Sequence, residues 1–238
     1  MPLYLVASPI GNLGDISQRA LDVLKLAGII AAEDTRSARR LLAHFNIPAD
    51  GKQIVVYEDH TEVGMAPKLA EALQRGVDVA VLSEGGTPLV SDPGYRLVQA
   101  ALACGAAVIP IPGPCAAIAA LAGSGLPVHG FIFRGFLPKK PGARRRILES
   151  LKDREETLIF YESPQRVPKI MADLIEIFGA DRPACLAREL TKLHETFVRL
   201  PLSELAKQVE QTPPRGECTL LISGVTRESV RDDEGDEE

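Results

Sequence analysis

The chain has 238 residues, 45% hydrophobic and 25% charged, an ordinary globular composition long enough for one large domain or two modest ones. Its net charge of −5 lies wholly in the last twelve residues, RESVRDDEGDEE, where two arginines face seven carboxylates; residues 227–238 are expected to form an acidic, disordered tail. No apolar run approaches the roughly 20 residues of a membrane-spanning helix, and MPLYLVASPIGN lacks the basic start and apolar centre of a signal peptide, so a cytoplasmic protein with no membrane partner is expected.

From Leu3 onward, short apolar runs alternate with amphipathic segments. LYLVA precedes DISQRALDVLKLAG, GIIAA precedes RSARRLLAHFN, QIVVY precedes APKLAEALQRG, VAVLS precedes PGYRLVQAALACG, and AVIPI closes the series. This alternation predicts a parallel sheet covered by helices. Expected helix starts are Asp15 with Gln18, Thr35 ahead of RSARRLL, and Asp92 with Pro93 as cap and first helical residue. After IPGPCAAIAALAGSGLP the pattern changes. FIFRGF, TLIFY, PACLAREL, HETFVRL and CTLLIS read as strands; ARRRILESLKD, QRVPKIMADLIEIFG and LSELAKQVEQ read as helices. Two successive strands with a short link predict a mixed sheet. The expected fold class is therefore α/β with two α/β domains, residues 1–114 and 115–226, ahead of the tail.

Four loops combine glycine, proline and small polar residues: SPIGN (8–12), EGGTPLVSDPG (84–94), PGPCAA (112–117) and PPRGE (213–217). Glycines admit close backbone approach, prolines stiffen, and Asn12, Thr87 and Ser91 offer polar groups. None matches GxGxxG or GxxxxGK[ST], which excludes the common dinucleotide and phosphate-loop fingerprints. SPIGN and PGP each also read as plain turns, whereas eleven residues is long for a strand-to-helix connection. Cys104, Cys115, Cys185 and Cys218 form no CxxC pair, and the histidines are scattered; reduced thiols and no metal site are expected.

The ordered set LYLVASPIGNLGDISQRAL, AAEDTRSARRLL, LSEGGTPLVSDPGYRLV, IPGPCAAIAALAGSGLP, FRGFLPKK, LIFYESPQR, ARELTKLHET and RGECTLLI, over about residues 3–224, resembles the tetrapyrrole methylase superfamily. It is most similar to the branch that methylates a cytidine ribose 2′-hydroxyl in 16S ribosomal RNA. The resemblance implies S-adenosylmethionine as methyl donor, held in a cleft between two α/β domains, and a homodimer acting on the 30S subunit. Carried over by motif, donor contacts are implied at Pro9, Gly86, Thr87, Ser91, Cys115, Ala116, Tyr161 and Gly216. The sequence departs from the family's usual SDAGTP at Glu84 and Gly85, where Asp and Ala are customary.

A ribose hydroxyl is a weak nucleophile, so a base, or a cation favouring its alkoxide, is expected beside the aligned donor. Asp34 and Glu84 are the leading candidates, with Glu33, Arg36, Glu189 and Lys192 as further ones. Glu33 and Asp34 also suit a helix start, ARELTK also reads as a charged surface strand, and Glu162 is positioned to pair with Arg166. For RNA, RGFLPKKPGARRR carries six cations and no acid, and RSARR adds three. The expected phosphate contacts are Arg36, Arg39, Arg40, Lys139, Lys140, Arg144, Arg145 and Arg146. Phe136 reads as core, with base stacking as the alternative. A corrin-precursor methyltransferase or a non-catalytic RNA-binding module would share the fold.

Overall fold

The apolar runs of the first half become parallel strands in the computed structural model, which describes residues 1–225; the acidic segment 227–238 lies outside the described residues. The described residues form two compact units, one of Met1–Ala119 with Glu189–Glu195, the other of Ala120–Arg188 with the described residues from Thr196 onward.

In the first unit the elements are β1 (Leu3–Val6), α1 (Gln18–Leu26), β2 (Ile29–Ala32), α2 (Thr35–His44), β3 (Gln53–Val56), α3 (Glu62–Gln74), β4 (Val79–Leu82), α4 (Tyr95–Ala103), β5 (Val108–Ile111) and the start of α5 (Ala116–Ser124). The sheet order is β3-β2-β4-β1-β5, all parallel. Every residue of β2 and β4 is buried, as expected for strands covered on both faces. Ile30, Ala32, Ala80 and Leu82 pack with α1 and α2. Their alternates Ile29, Ala31, Val79 and Val81 pack with α3 and α4. The helix after β1 thus lies on one face and the helix after β4 on the other. Because these strands are neighbours, the loops beyond their carboxyl ends part at this point, the usual place for a ligand in an open α/β sheet.

The helix starts differ in detail from expectation. Ser17, not Asp15, caps α1, accepting from the Ala20 N–H at 3.2 Å. Asp34 caps α2, with Thr35 its first residue. For α4 the cap position is Gly94, φ 139°, and Asp92 makes no cap. Instead the Glu62 carboxylate on α3 accepts the N–H groups of Gly94 and Arg96, each at 3.0 Å, and the Tyr57 hydroxyl at 3.0 Å. A remote acid thereby satisfies the open helix end that Asp92 was expected to serve.

The second unit contains the end of α5, then β6 (Phe131–Phe136), α6 (Pro141–Glu149), β7 (Thr157–Glu162), α7 (Val167–Phe178), β8 (Pro183–Arg188), β9 (Thr196–Pro201), α8 (Leu202–Gln211) and β10 (Cys218–Ile222). Strand order is β6-β7-β10-β8-β9; β6 and β7 are parallel and the other pairs antiparallel, a mixed sheet. Leu158, Phe160, Leu186 and Leu220 meet Ile170 and Leu174 of α7 and Leu205 of α8 in the core. Strand β8 stops at Arg188, because Glu189 (φ 51°) and Thr191 (φ 64°) leave the extended region. ARELTK is therefore a strand end followed by a loop, not a continuous surface strand. The division between units falls inside α5, and the 189–195 loop groups with the first unit. No helix among the described residues is long and apolar enough to cross a membrane.

Candidate active site

Three of the four glycine- and proline-bearing loops are tied together at the carboxyl ends of β1, β4 and β5. The Ser8 N–H donates to the Gly86 carbonyl at 2.9 Å, and the Gly86 N–H donates back to Ser8 at 3.1 Å. Behind this bridge the Ser8 hydroxyl donates to the Ser83 carbonyl at 3.3 Å and the Ser83 hydroxyl to the Gly86 carbonyl at 2.9 Å. Gly86 has φ +94°, a conformation that a side chain would strain. The Thr87 hydroxyl donates to the Pro114 carbonyl at 3.0 Å, joining the second loop to the third. At Gly113 a β-carbon would lie 2.8 Å from that of Ala7, so only glycine lets the third loop approach β1. Leu89 (φ 73°) and Ser91 (φ 70°) also hold left-handed conformations, costing of order 1–3 kcal/mol each where surrounding contacts enforce them.

Pro9, Gly86, Thr87, Cys115 and Ala116 are thus brought to one end of the first unit. Ser91 is exposed farther along its loop. Tyr161, on β7, and Gly216, in the turn before β10, belong to the second unit. The 189–195 loop joins the first: Thr191 Oγ1 accepts the Asn12 N–H at 3.1 Å, and a side chain at Gly11 would overlap Lys192. Lys192 itself pairs with Glu189 at 3.0 Å. The pairing of that loop with SPIGN escapes sequence reading because Asn12 and Thr191 are 179 residues apart in the chain.

Beside these loops lies a hollow of about 370 Å3 lined by Ser8, Pro9, Asp34, Arg40, His44 and Glu84, among others. Its volume falls in the range of small-molecule sites. The acids differ in what they are free to do. Asp34 accepts the Arg36 N–H at 2.8 Å and the Ser37 hydroxyl at 3.1 Å. The Arg36 backbone bond holds its carboxyl below the ordinary range, so Asp34 is engaged as a helix cap, and the helix-start reading of AEDTR is the one its geometry supports. Glu84 is exposed at the rim, and its N–H donates to Glu33 at 3.1 Å. Burial, followed by the nearby charges of Glu84, Asp59 and Glu58, pushes Glu33 up. Asp92, which caps no helix, lines a small recess with Glu33 and Ser83. Burial and the Glu33 charge push it up to about 7, against the opposing effect of a hydrogen bond with Ser83.

Of the cations, Arg36, Arg39 and Arg40 are exposed on α2, and Lys139, Lys140 and Arg146 are exposed on and before α6. Arg144 and Arg145 require correction. Arg144 is buried, with Nε 2.7 Å and Nη2 2.6 Å from Asp173 Oδ2. Arg145 reaches Asp173 Oδ1 at 2.9 Å and also pairs with Glu176. Both guanidinium groups bind α7 rather than standing open to phosphate. The helical period carried this signal, since Arg144 shares a face with Leu148, four residues on. Phe136 also departs from the core reading, being 60% exposed. Glu162, 2% exposed, pairs with Arg166 at 3.2 Å; burial pushes its carboxyl up despite that cation.

Residues 2–206 match the family described as Tetrapyrrole (Corrin/Porphyrin) Methylases. The protein named ribosomal RNA small subunit methyltransferase I of Pseudomonas aeruginosa is 48% identical over 224 residues, spanning 93% of this chain and 78% of that protein. Its namesake in Vibrio cholerae is 47% identical, over 93% and 77%. Among solved structures, the methyltransferase CobJ superposes with a TM-score of 0.71 at 20% identity, covering 94% of each chain. The uroporphyrin-III C-methyltransferase of Thermus thermophilus complexed with S-adenosylhomocysteine gives 0.65 at 21% identity, covering 94% of this chain and 97% of that one. At such identities the two structures speak for the fold alone.

Proposed function

Because this chain belongs to the tetrapyrrole methylase family, we propose that it transfers a methyl group from S-adenosylmethionine to a ribose 2′-hydroxyl of a cytidine in 16S ribosomal RNA. Near-half identity to two proteins named ribosomal RNA small subunit methyltransferase I, over more than three-quarters of their length, is the observation that carries this reading.

The residues present suit such a donor. Two of the bridged loops line a hollow of fitting size, one through Ser8 and Pro9 and the other through Glu84; the third is tied to them through Thr87 and Pro114, and the carboxylates of Asp34 and Glu84 on the hollow's wall favour a cationic ligand. When bound, the donor supplies a sulfonium-activated methyl group. The protein's part is alignment, worth on the order of 7 kcal/mol or more for a well-oriented pair, together with removal of the hydroxyl proton. We assign donor contact to Pro9, Gly86, Thr87, Ser91, Cys115 and Ala116, and proton acceptance to Glu84, since both Asp34 oxygens already accept hydrogen bonds. Arg40, on the same wall, favours the developing alkoxide. Arg36, Arg39, Lys139, Lys140 and Arg146 supply phosphate contacts. The substrate we propose is the 30S particle, and the acting species a homodimer.

The test is to incubate the protein with labelled S-adenosylmethionine and 30S subunits lacking the modification, then map the label. A methyl group on a 16S ribose is the expected result. Transfer only to a tetrapyrrole, or donor binding without transfer to RNA, would overturn the reading.

A further inference from the structure

We propose that Phe136 is a stacking platform for an unpaired nucleobase, a proposal that rests on the RNA reading above and gives it a specific contact. Phe136 ends the edge strand β6. Between Phe133 and Phe136 the pairing with β7 slips at a bulge, and Gly135 there has φ 61°. Strand side chains alternate, so an inserted residue brings Phe136 to the face Phe133 occupies. Both rings meet Tyr161 edge-on, at centroid distances of 4.8 Å for Phe133 and 5.8 Å for Phe136. Tyr161 therefore braces a ring that is 60% exposed.

The surroundings select the occupant. Arg134, Lys139 and Lys140, all within four residues of Phe136, are exposed, and no acid occurs from residue 131 to residue 148. The segment is also held in place: Arg166 donates to the Leu137 and Pro138 carbonyls at 2.8 and 3.1 Å, and buried Glu162 holds Arg166. An exposed aromatic ring braced by Tyr161, in a segment that carries cations and no acid, matches what single-stranded nucleic acid requires, a surface for one base and charge for its phosphates. An apolar protein partner would not call for the cations.

The chain has no tryptophan, so Phe136→Trp places a single reporter at the proposed contact. Titration with an unstructured oligoribonucleotide should quench its emission in step with binding followed by anisotropy. An oligomer of equal phosphate number, abasic along its length, should bind without quenching. Phe136→Leu, which keeps apolar bulk but no ring, should weaken RNA binding about tenfold while leaving its salt dependence unchanged. RNA binding without quenching, or with full affinity in Phe136→Leu, would overturn the platform while leaving the RNA reading intact. Absence of RNA binding by anisotropy would overturn both. An emission change that follows protein concentration without RNA would assign the ring to contact with a second copy and overturn the platform.

Discussion

Arg144→Met tests whether the basic helix α6 serves the fold or the RNA. The substitution keeps the aliphatic stem and removes the guanidinium that contacts Asp173 through Nε and Nη2 at 2.7 and 2.6 Å. The two side chains are 10% and 15% exposed. Burial alone would push Asp173 up, yet the hydrogen bonds of Arg144 and Arg145 outweigh it and hold its carboxyl below the ordinary range. Removing one partner of a fully buried pair costs about 3–5 kcal/mol. Here Arg145 still reaches Asp173 and both groups keep some solvent, so we expect about 2–3 kcal/mol. In a chain of this size that corresponds to a fall in melting temperature of about 5–10 °C. Circular dichroism on Arg144→Met, Asp173→Asn and the double variant should show a double change smaller than the sum of the singles. The Lys139→Glu, Lys140→Glu, Arg146→Glu triple variant should instead melt as the parent does and bind RNA more weakly, with a shallower salt slope. The reasoning fails if Arg144→Met melts with the parent and loses RNA affinity.

Asp34→Asn keeps an oxygen for the Arg36 N–H but cannot accept a proton, so methyl transfer should persist within a few-fold; a loss of about a hundredfold or more would make Asp34 the base. Asp34→Ala should cost about 1 kcal/mol of stability through the lost cap, read by urea denaturation. Asp92 holds its proton more tightly when folded, its carboxyl rising from 3.8 to about 7. Its contribution to stability is therefore full below pH of about 4 and lost as pH rises through about 7. The whole linkage would be about 4 kcal/mol, reduced by partial exposure to about 1–2. Asp92→Asn should accordingly flatten the decline in stability between pH 5 and pH 8, as followed by melting curves, and an unchanged decline would count against this account. Gly113→Ala should push the 112–117 loop off Ala7, costing about 1–3 kcal/mol and weakening donor binding measured by calorimetry.

The central strands of the first unit, β2 and β4, were legible because both are buried on both faces, which imposes a continuous apolar run on four consecutive residues, IIAA and VAVL. The mixed second sheet was legible for a similarly local reason, two strands joined by too few residues for a crossover. Motif order also pointed to the loops at 8–12, 84–94 and 112–117, since glycine and proline mark backbone demands within a few residues of themselves. What could not be read locally were the partners. An acid and a cap look alike in AEDTR until the Arg36 N–H is placed 2.8 Å from Asp34. Three adjacent arginines are equal in sequence, and only the packing of α6 on α7 turns Arg144 and Arg145 to Asp173 while leaving Arg146 to solvent. Asp92 seemed a cap until Glu62, on another helix, proved to fill that place. Phe136 counted as core until a bulge at Gly135 turned it outward. Periodicity and backbone propensity act over a few neighbours and are written into each segment. Hydrogen-bond partners, burial and the charge state of a carboxyl arise from groups remote in the chain, and these exist only once the sheets and helices have packed.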